Sequence, residues 1–191
     1  MSTLAEALHL ESSWLESLFR FRSQQPSISL SENKEAQHRT SHPISESGHS
    51  LEPPIHRMEA LVWLNQCNTL DRLTMNLGLI HKFRPGFLDR KIHQFFTGAS
   101  REPFSLLNTQ LGLQYKEQGI LPSFGLVLYL LCGDQLEERI RLLQELSQGN
   151  LDCLKLEWII AGERQLEDPL FSHVLVLSDA MAMGLLHHRQ P

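Results

Sequence analysis

A membrane-crossing segment is the first thing missing, because the longest apolar run, Phe124 to Cys132, falls far short of the roughly 20 residues a spanning helix needs. Cysteine is scarce. Cys67, Cys132 and Cys153 are odd in number, widely spaced and each set in an apolar stretch where a free thiol behaves as a small hydrophobe, so no disulfide framework is expected. Positive charge is in deficit: 17 Lys and Arg face 22 Asp and Glu, for a formal net charge of -5. That balance disfavours non-specific attachment to nucleic acid or an anionic membrane, which draws on counterion release from a basic face. Met1-Ser2-Thr3 leads into neither a basic stretch nor a continuous apolar one, so no signal peptide is expected and a soluble, cytoplasmic protein is. Glycine-rich phosphate loops, Cys-x-x-Cys pairs and the His-Glu-x-x-His signature are all absent, and no repeat of fixed period suggests a solenoid.

What remains is the composition of a globular protein, 41% apolar and 20% charged, with length for one domain and a tail. Residues 1–22 form an amphipathic helix. Thr3 and Glu6 make a capping box, and Leu4, Leu8, Leu15 and Phe19, with Trp14, Leu18 and Phe21 on the adjoining stripe, give it a broad apolar face. Glu6, Glu16 and Arg20 fall largely outside that face. Residues 23–54 turn to Ser, Pro, His, Glu and Gln with scattered aliphatics, a composition that cannot offset its ordering entropy, and are expected to be a disordered linker. The first helix is therefore tethered and free to dock on its own domain, on a second copy or on a partner.

Residues 55–191 read as an all-α domain, a compact bundle of six to seven helices. Ile55, Met58, Leu61 and Val62 begin one, with a break near Cys67, where Asn68 and Asp71 resemble a second start; Leu70, Leu73, Leu77 and Ile80 keep helical spacing to Pro85-Gly86. Leu88, Ile92, Phe95 and Phe96 carry the next helix, and Phe104, Leu107, Leu111 and Tyr115 another that ends at Gly119. Pro122 opens the run Phe124 to Cys132, a central buried helix with a buried strand as the alternative. Asp134 and Glu137 cap a helix through Leu136, Ile140, Leu143 and Leu146. Leu151, Leu154 and Trp158 form a shorter one ending near Gly162, and Asp168-Pro169 starts the last, through Leu170, Val174, Leu177, Met181 and Leu185, with His187, His188 and Arg189 at its negative end.

No catalytic, metal or cofactor site is expected from this pattern. His38 and His42 have a chelating i, i+4 spacing, followed by His49 and His56 at intervals of seven, yet they lie mostly in the linker, where nothing preorganises them. Ser123 has one glycine of a nucleophile elbow and no strand before it, and Cys132 closes an apolar run beside Asp134, a poor setting for an activated thiol. Glu137 with Glu138, and Glu167 with Asp168, stand at helix starts where carboxylates serve the dipole. Leu70 to Ile92 superficially resembles a helix-turn-helix, but Pro85-Gly86 breaks the would-be second helix, so no DNA binding is expected.

Charge is unevenly spread. Residues 55–99 carry six Lys and Arg against three Asp and Glu, whereas residues 100–191 carry seven against twelve. The positive share gathers at a turn where Lys82, Arg84, Arg90 and Lys91 alternate with Phe83 and Phe87, a pattern suited to steering and anchoring an acidic partner. These six residues, with Leu8, Trp14, Leu15, Leu18 and Phe19 of the first helix, are the candidate partner-binding set. The expectation is a non-enzymatic protein-binding protein, chaperone-like or an accessory subunit of a larger assembly such as a bacterial secretion machine, with self-association through the N-terminal helix as one mode. Its competitors are an enzyme whose site is scattered over helices and a peripheral membrane or nucleic-acid binder acting through the 81–91 turn. Gln114-Tyr115-Lys116-Glu117-Gln118-Gly119, followed by Leu121-Pro122 and the apolar run to Leu131, resembles the helix, glycine, proline and apolar helix of the helical redox-enzyme maturation chaperones. Ser123-Phe124 stands where that family has Asp-His. The resemblance implies a helical chaperone.

Overall fold

The computed structural model describes residues 3–24, 51–57, 59–96, 113–116, 119–133, 135–147, 159–160 and 174–186. The described residues are mostly helical. Six α-helices and one 3-10 helix are described, α1 (Leu4–Gln24), the 3-10 helix (Glu59–Gln66), α2 (Thr69–Phe83), α3 (Phe87–Phe96), α4 (Phe124–Cys132), α5 (Leu136–Ser147) and α6 (Asp179–Leu186). Two antiparallel ladders join them, β1 (Gln114–Lys116) with β2 (Gly119–Leu121), and β3 (Ile159–Ile160) with β4 (Val176–Leu177). No helix among the described residues is long and apolar enough to cross a membrane.

Local chemistry sets the helix starts. Thr3 Oγ1 accepts from the Glu6 amide at 3.2 Å while Glu6 Oε2 accepts from the Thr3 amide at 2.8 Å, closing the capping box. Asn68 caps α2, its Oδ1 accepting from the Asp71 amide at 2.8 Å, and Ser123 caps α4, its Oγ accepting from the Leu126 amide at 3.1 Å.

Helix α2 is the axis of the fold, packed by α1, α3, α4 and β4, and every residue from Leu70 to Ile80 is buried. Gly78 admits β4 closely; a Cβ there would lie 3.6 Å from Leu177. Helix α4, apolar on all sides, forms the second buried rod, and the amide of Leu175 donates to the Pro122 carbonyl at its entry. Burial, reinforced by Glu138 and opposed by Arg22, pushes the Cys132 thiol up from its ordinary value to about 11. At pH 8 only about one in a thousand Cys132 side chains is then thiolate, so iodoacetamide should leave it unmodified in the native chain and alkylate it in denaturant, as peptide mass mapping would show. The folded-state value is the raised one, so the stability this thiol lends is present below its ordinary value and is lost as pH climbs toward 11.

Four helix expectations are corrected. The helix expected to begin at Ile55 is a 3-10 helix from Glu59; Ile55 lies outside it, 79% exposed, and Met58 lies outside the described residues. Tyr115 belongs to a hairpin strand, opposite Ile120, instead of a helix. Gly119 makes the hairpin: its φ is +102°, and a Cβ would stand 2.1 Å from Asp89 Oδ2, whose carboxylate accepts from the Ile120 amide. The hairpin also replaces the helix that the chaperone resemblance implied for residues 114–119. Ile159 and Ile160, placed at the end of a helix by the sequence, pair as a strand with Leu177 and Val176, and the last helix starts only at Asp179. Alternating Val174, Leu175, Val176 and Leu177 favour the pleated conformation once a partner strand is present. Residues 25–50, His38, His42, His49, Phe104, Leu107, Leu111, Asp134, Leu151, Leu154, Trp158, Gly162, Asp168 to Leu170 and His187 to Arg189 lie outside the described residues.

Candidate functional site

Helix α1 does not stand apart. It packs on α2, α3 and α4, and of the five candidate partner-binding residues on it Leu15 and Phe19 are 0% exposed while Leu8, Trp14 and Leu18 are buried. All five therefore face the chain's own core, and the docking left open by the sequence is intramolecular in this conformation. The groove that receives α1 is walled by these three helices and crossed by residues 51–57, a strap whose Leu51 carbonyl accepts from Trp14 Nε1 at 2.9 Å. Leu51 and Pro54, which composition assigned to the linker, thus take part in the fold.

The helix is gripped at polar points as well as apolar ones. Leu4, Leu8, Glu11, Leu15, Leu18 and Arg22 recur at alternating intervals of four and three, one line along a helix, so a carboxylate and a guanidinium lie within the apolar stripe. Glu11 is 0% exposed. Its Oε1 accepts from Arg72 at 2.7 Å and from His56 at 2.5 Å, and its backbone carbonyl accepts from Asn76 Nδ2 at 3.1 Å. His56 Nε2, facing a carboxylate oxygen, carries the ring hydrogen. Arg72 also donates to the Leu64 carbonyl at 3.3 Å and to the Pro54 carbonyl, and its guanidinium lies 5.8 Å from the Trp14 ring centre. Asn65 holds the His56 backbone in place, accepting from its amide and donating to its carbonyl at 2.8 Å each. One residue of α1 is thus read jointly by α2 and the strap.

At the far end of α1, Arg22 Nε donates to the Leu130 carbonyl at 2.9 Å and its terminal nitrogen to that of Leu131. These are last-turn carbonyls of α4, where a cation meets the negative end of the helix. Between the two grips, Lys91 of α3 reaches Glu16 at 2.8 Å.

The basic turn divides. Lys82 pairs with Asp179 and Lys91 with Glu16, Phe87 is buried and Phe83 packs against the core. Arg84 lies 5.1 Å from the Phe87 ring centre and Arg90 is exposed; among the described residues neither has an ion pair. The structure therefore does not gather the eleven candidates on one surface. Comparison with family models, with curated proteins and with solved structures finds no match to this chain.

Glu11, Arg22, Arg72 and Asn76 were missed by pattern reading, and His56 was noted only as the last of a histidine series at intervals of seven. The signal for the first two was present, since an ionisable group centred in an apolar stripe is an anomaly. Arg72 and Asn76 sit four apart on α2, which looks like a solvated face until the helix proves buried all round. Nothing local announces His56, which meets Glu11 across 45 residues of sequence.

Glu11 Oε2, Arg72 Nε and Asn76 Oδ1 have no hydrogen-bond partner among the described residues. Each such atom costs on the order of 1–3 kcal/mol of desolvation, and a buried ion pair is weak evidence for stability in any case. The geometry of the network is sensitive to register. Sliding α1 by one turn would bring Leu8 or Leu15 opposite Arg72 and strand Glu11 among apolar side chains.

Proposed function

We propose that this chain is a non-enzymatic protein-binding protein that recognises an amphipathic helix, acting as a chaperone-like protein or as an accessory subunit of a larger assembly, secretion machines included. One observation carries the reading: an amphipathic helix, separated from the strap by 26 residues, lies in a groove that tests its sequence at Glu11 and at Arg22. This is the helix-in-groove mode, with apolar anchors for affinity and buried charges for specificity. Without α1 the groove would expose a broad apolar surface around Arg72 and His56, so it requires a helix, its own or another's. The basic turn supports a rim role. With Lys82 and Lys91 committed to carboxylates, Arg84 and Arg90 suit the steering of an acidic partner better than they suit a nucleic-acid face.

The test is a displayed library of amphipathic helices selected on the full-length chain carrying Leu8→Ala, which loosens α1 and keeps the Glu11 pair. Enriched sequences should share an acidic residue with large apolar residues three to four and seven to eight positions later, and a synthetic helix of residues 3–24 should displace them. No enrichment, or enrichment of helices that this peptide does not displace, overturns the reading.

A further inference from the structure

We propose that the groove is also filled in trans, by α1 of a second copy: two chains exchange their N-terminal helices, each lying in the other's groove with the contacts it makes in its own. This rests on the reading of the groove as a helix-binding site and names its occupant. Among the described residues, the grips named above on α1 come from the strap, α2, α3 and α4, which follow residues 25–50 in the chain. An incoming α1 therefore meets the same set of partners. Those partners are specific for its sequence: Arg72 and His56 for Glu11, Lys91 for Glu16, and the α4 carbonyls for Arg22. A second copy carries that code by necessity, and strand or helix exchange between identical chains is a low-cost route to dimers.

The connecting sequence is long enough. Its 26 residues have an extended reach of roughly 85 Å, against about 30 Å for the length of α1. Because the groove contacts are the same in both arrangements, the balance between them is set by the connector. Sharing a chain raises the concentration of α1 at its own groove, so exchange rises with protein concentration and whenever the intramolecular fit is impaired. Once formed, the exchanged pair separates only by withdrawing a helix from a core, which is slow.

Charge reversal separates the two arrangements. Full-length Glu11→Arg sets a guanidinium against Arg72 within the same chain, and full-length Arg72→Glu sets a second carboxylate against Glu11. Mixed and exchanged, both grooves are matched. In one, the guanidinium introduced on α1 meets the carboxylate introduced on α2; in the other, the native Glu11 meets the native Arg72. Co-refolding the two variants in equal amounts should give a heterodimer at twice the 21.9 kDa of the chain by native mass spectrometry, at least ~tenfold over either homodimer and melting above both parents. A mixture that stays monomeric, while one chain carrying both reversals folds and melts normally, overturns exchange and leaves the helix-binding reading intact. If the doubly reversed chain fails to fold, the decisive measurement is co-refolding of differently tagged wild-type chains at about 1 mM. Mixed dimers then support exchange and their absence overturns it.

Discussion

Arg72→Met should destabilise the chain by roughly 3–5 kcal/mol, the usual cost of removing one partner of a buried ion pair, measured as a lower urea midpoint at unchanged m-value. Glu11 would keep its place on a fully buried helix face with His56 as its one remaining charged or ring donor, and the Pro54 and Leu64 carbonyls would lose the guanidinium they accept from. The double substitution Glu11→Leu with Arg72→Met removes both charges and keeps apolar volume. It should recover most of the loss and can exceed the parent, because well-packed apolar residues match or surpass buried pairs in stability. The informative quantity is the coupling between the two sites. A large single-site loss that the double variant erases identifies the pair as a register device, since the apolar version holds α1 as firmly and no longer specifies where. A single-site loss under about 1 kcal/mol would mean that the Glu11 carboxylate reaches water, and the groove would then have no charge to read.

The starts of α1, α2 and α4 were legible because their signals are local. Thr3 with Glu6, Asn68 with Asp71, and Ser123 ahead of an apolar run each complete their hydrogen bonds within three residues. The apolar stripe of α1 and the buried rod α4 were legible for the same reason. The ladders were not. Ile159 and Ile160 become a strand only because Val176 and Leu177 lie beside them, and the 114–121 hairpin depends on Gly119 meeting Asp89, 30 residues earlier. In both places the local pattern fits a helix and a distant partner decides otherwise. The candidate site failed for a related reason. Periodic reading grants each helix one buried face, whereas α2 is enclosed on all sides, so the spacing of Leu70, Leu73, Leu77 and Ile80 gave no hint that Arg72 and Asn76 form the inner wall of the groove. The basic turn was visible as charge, but its division between Asp179 and Glu16 is a property of the packed state alone.

Phe19→Ala should cost roughly 3–5 kcal/mol, and where that loss falls decides how α1 belongs to the fold. Phe19 is 0% exposed and stands edge-on to Phe96 at 5.9 Å, which in turn stands edge-on to Tyr129 at 5.5 Å, so one row of rings ties α1 to α3 and α4. Truncation removes the end of that row, leaves a cavity the size of a ring and forfeits an aromatic pair worth about 0.5–1.5 kcal/mol beyond its area. Hydrogen exchange read by mass spectrometry distinguishes two ways of bearing the loss. If α1 docks as a separable unit, amides within Leu4–Gln24 should lose protection by the full amount while those of Leu73 to Ile80 in α2 keep theirs, because α2 retains its packing on α3, α4 and β4. If both helices lose protection together, α1 opens only with the whole domain, and a groove that cannot be vacated without unfolding receives another helix only during refolding. The grips at Glu11 and Arg22 favour the first outcome: released into water, both groups regain the hydration that docking took from them, whereas the apolar residues of α2 have no such return.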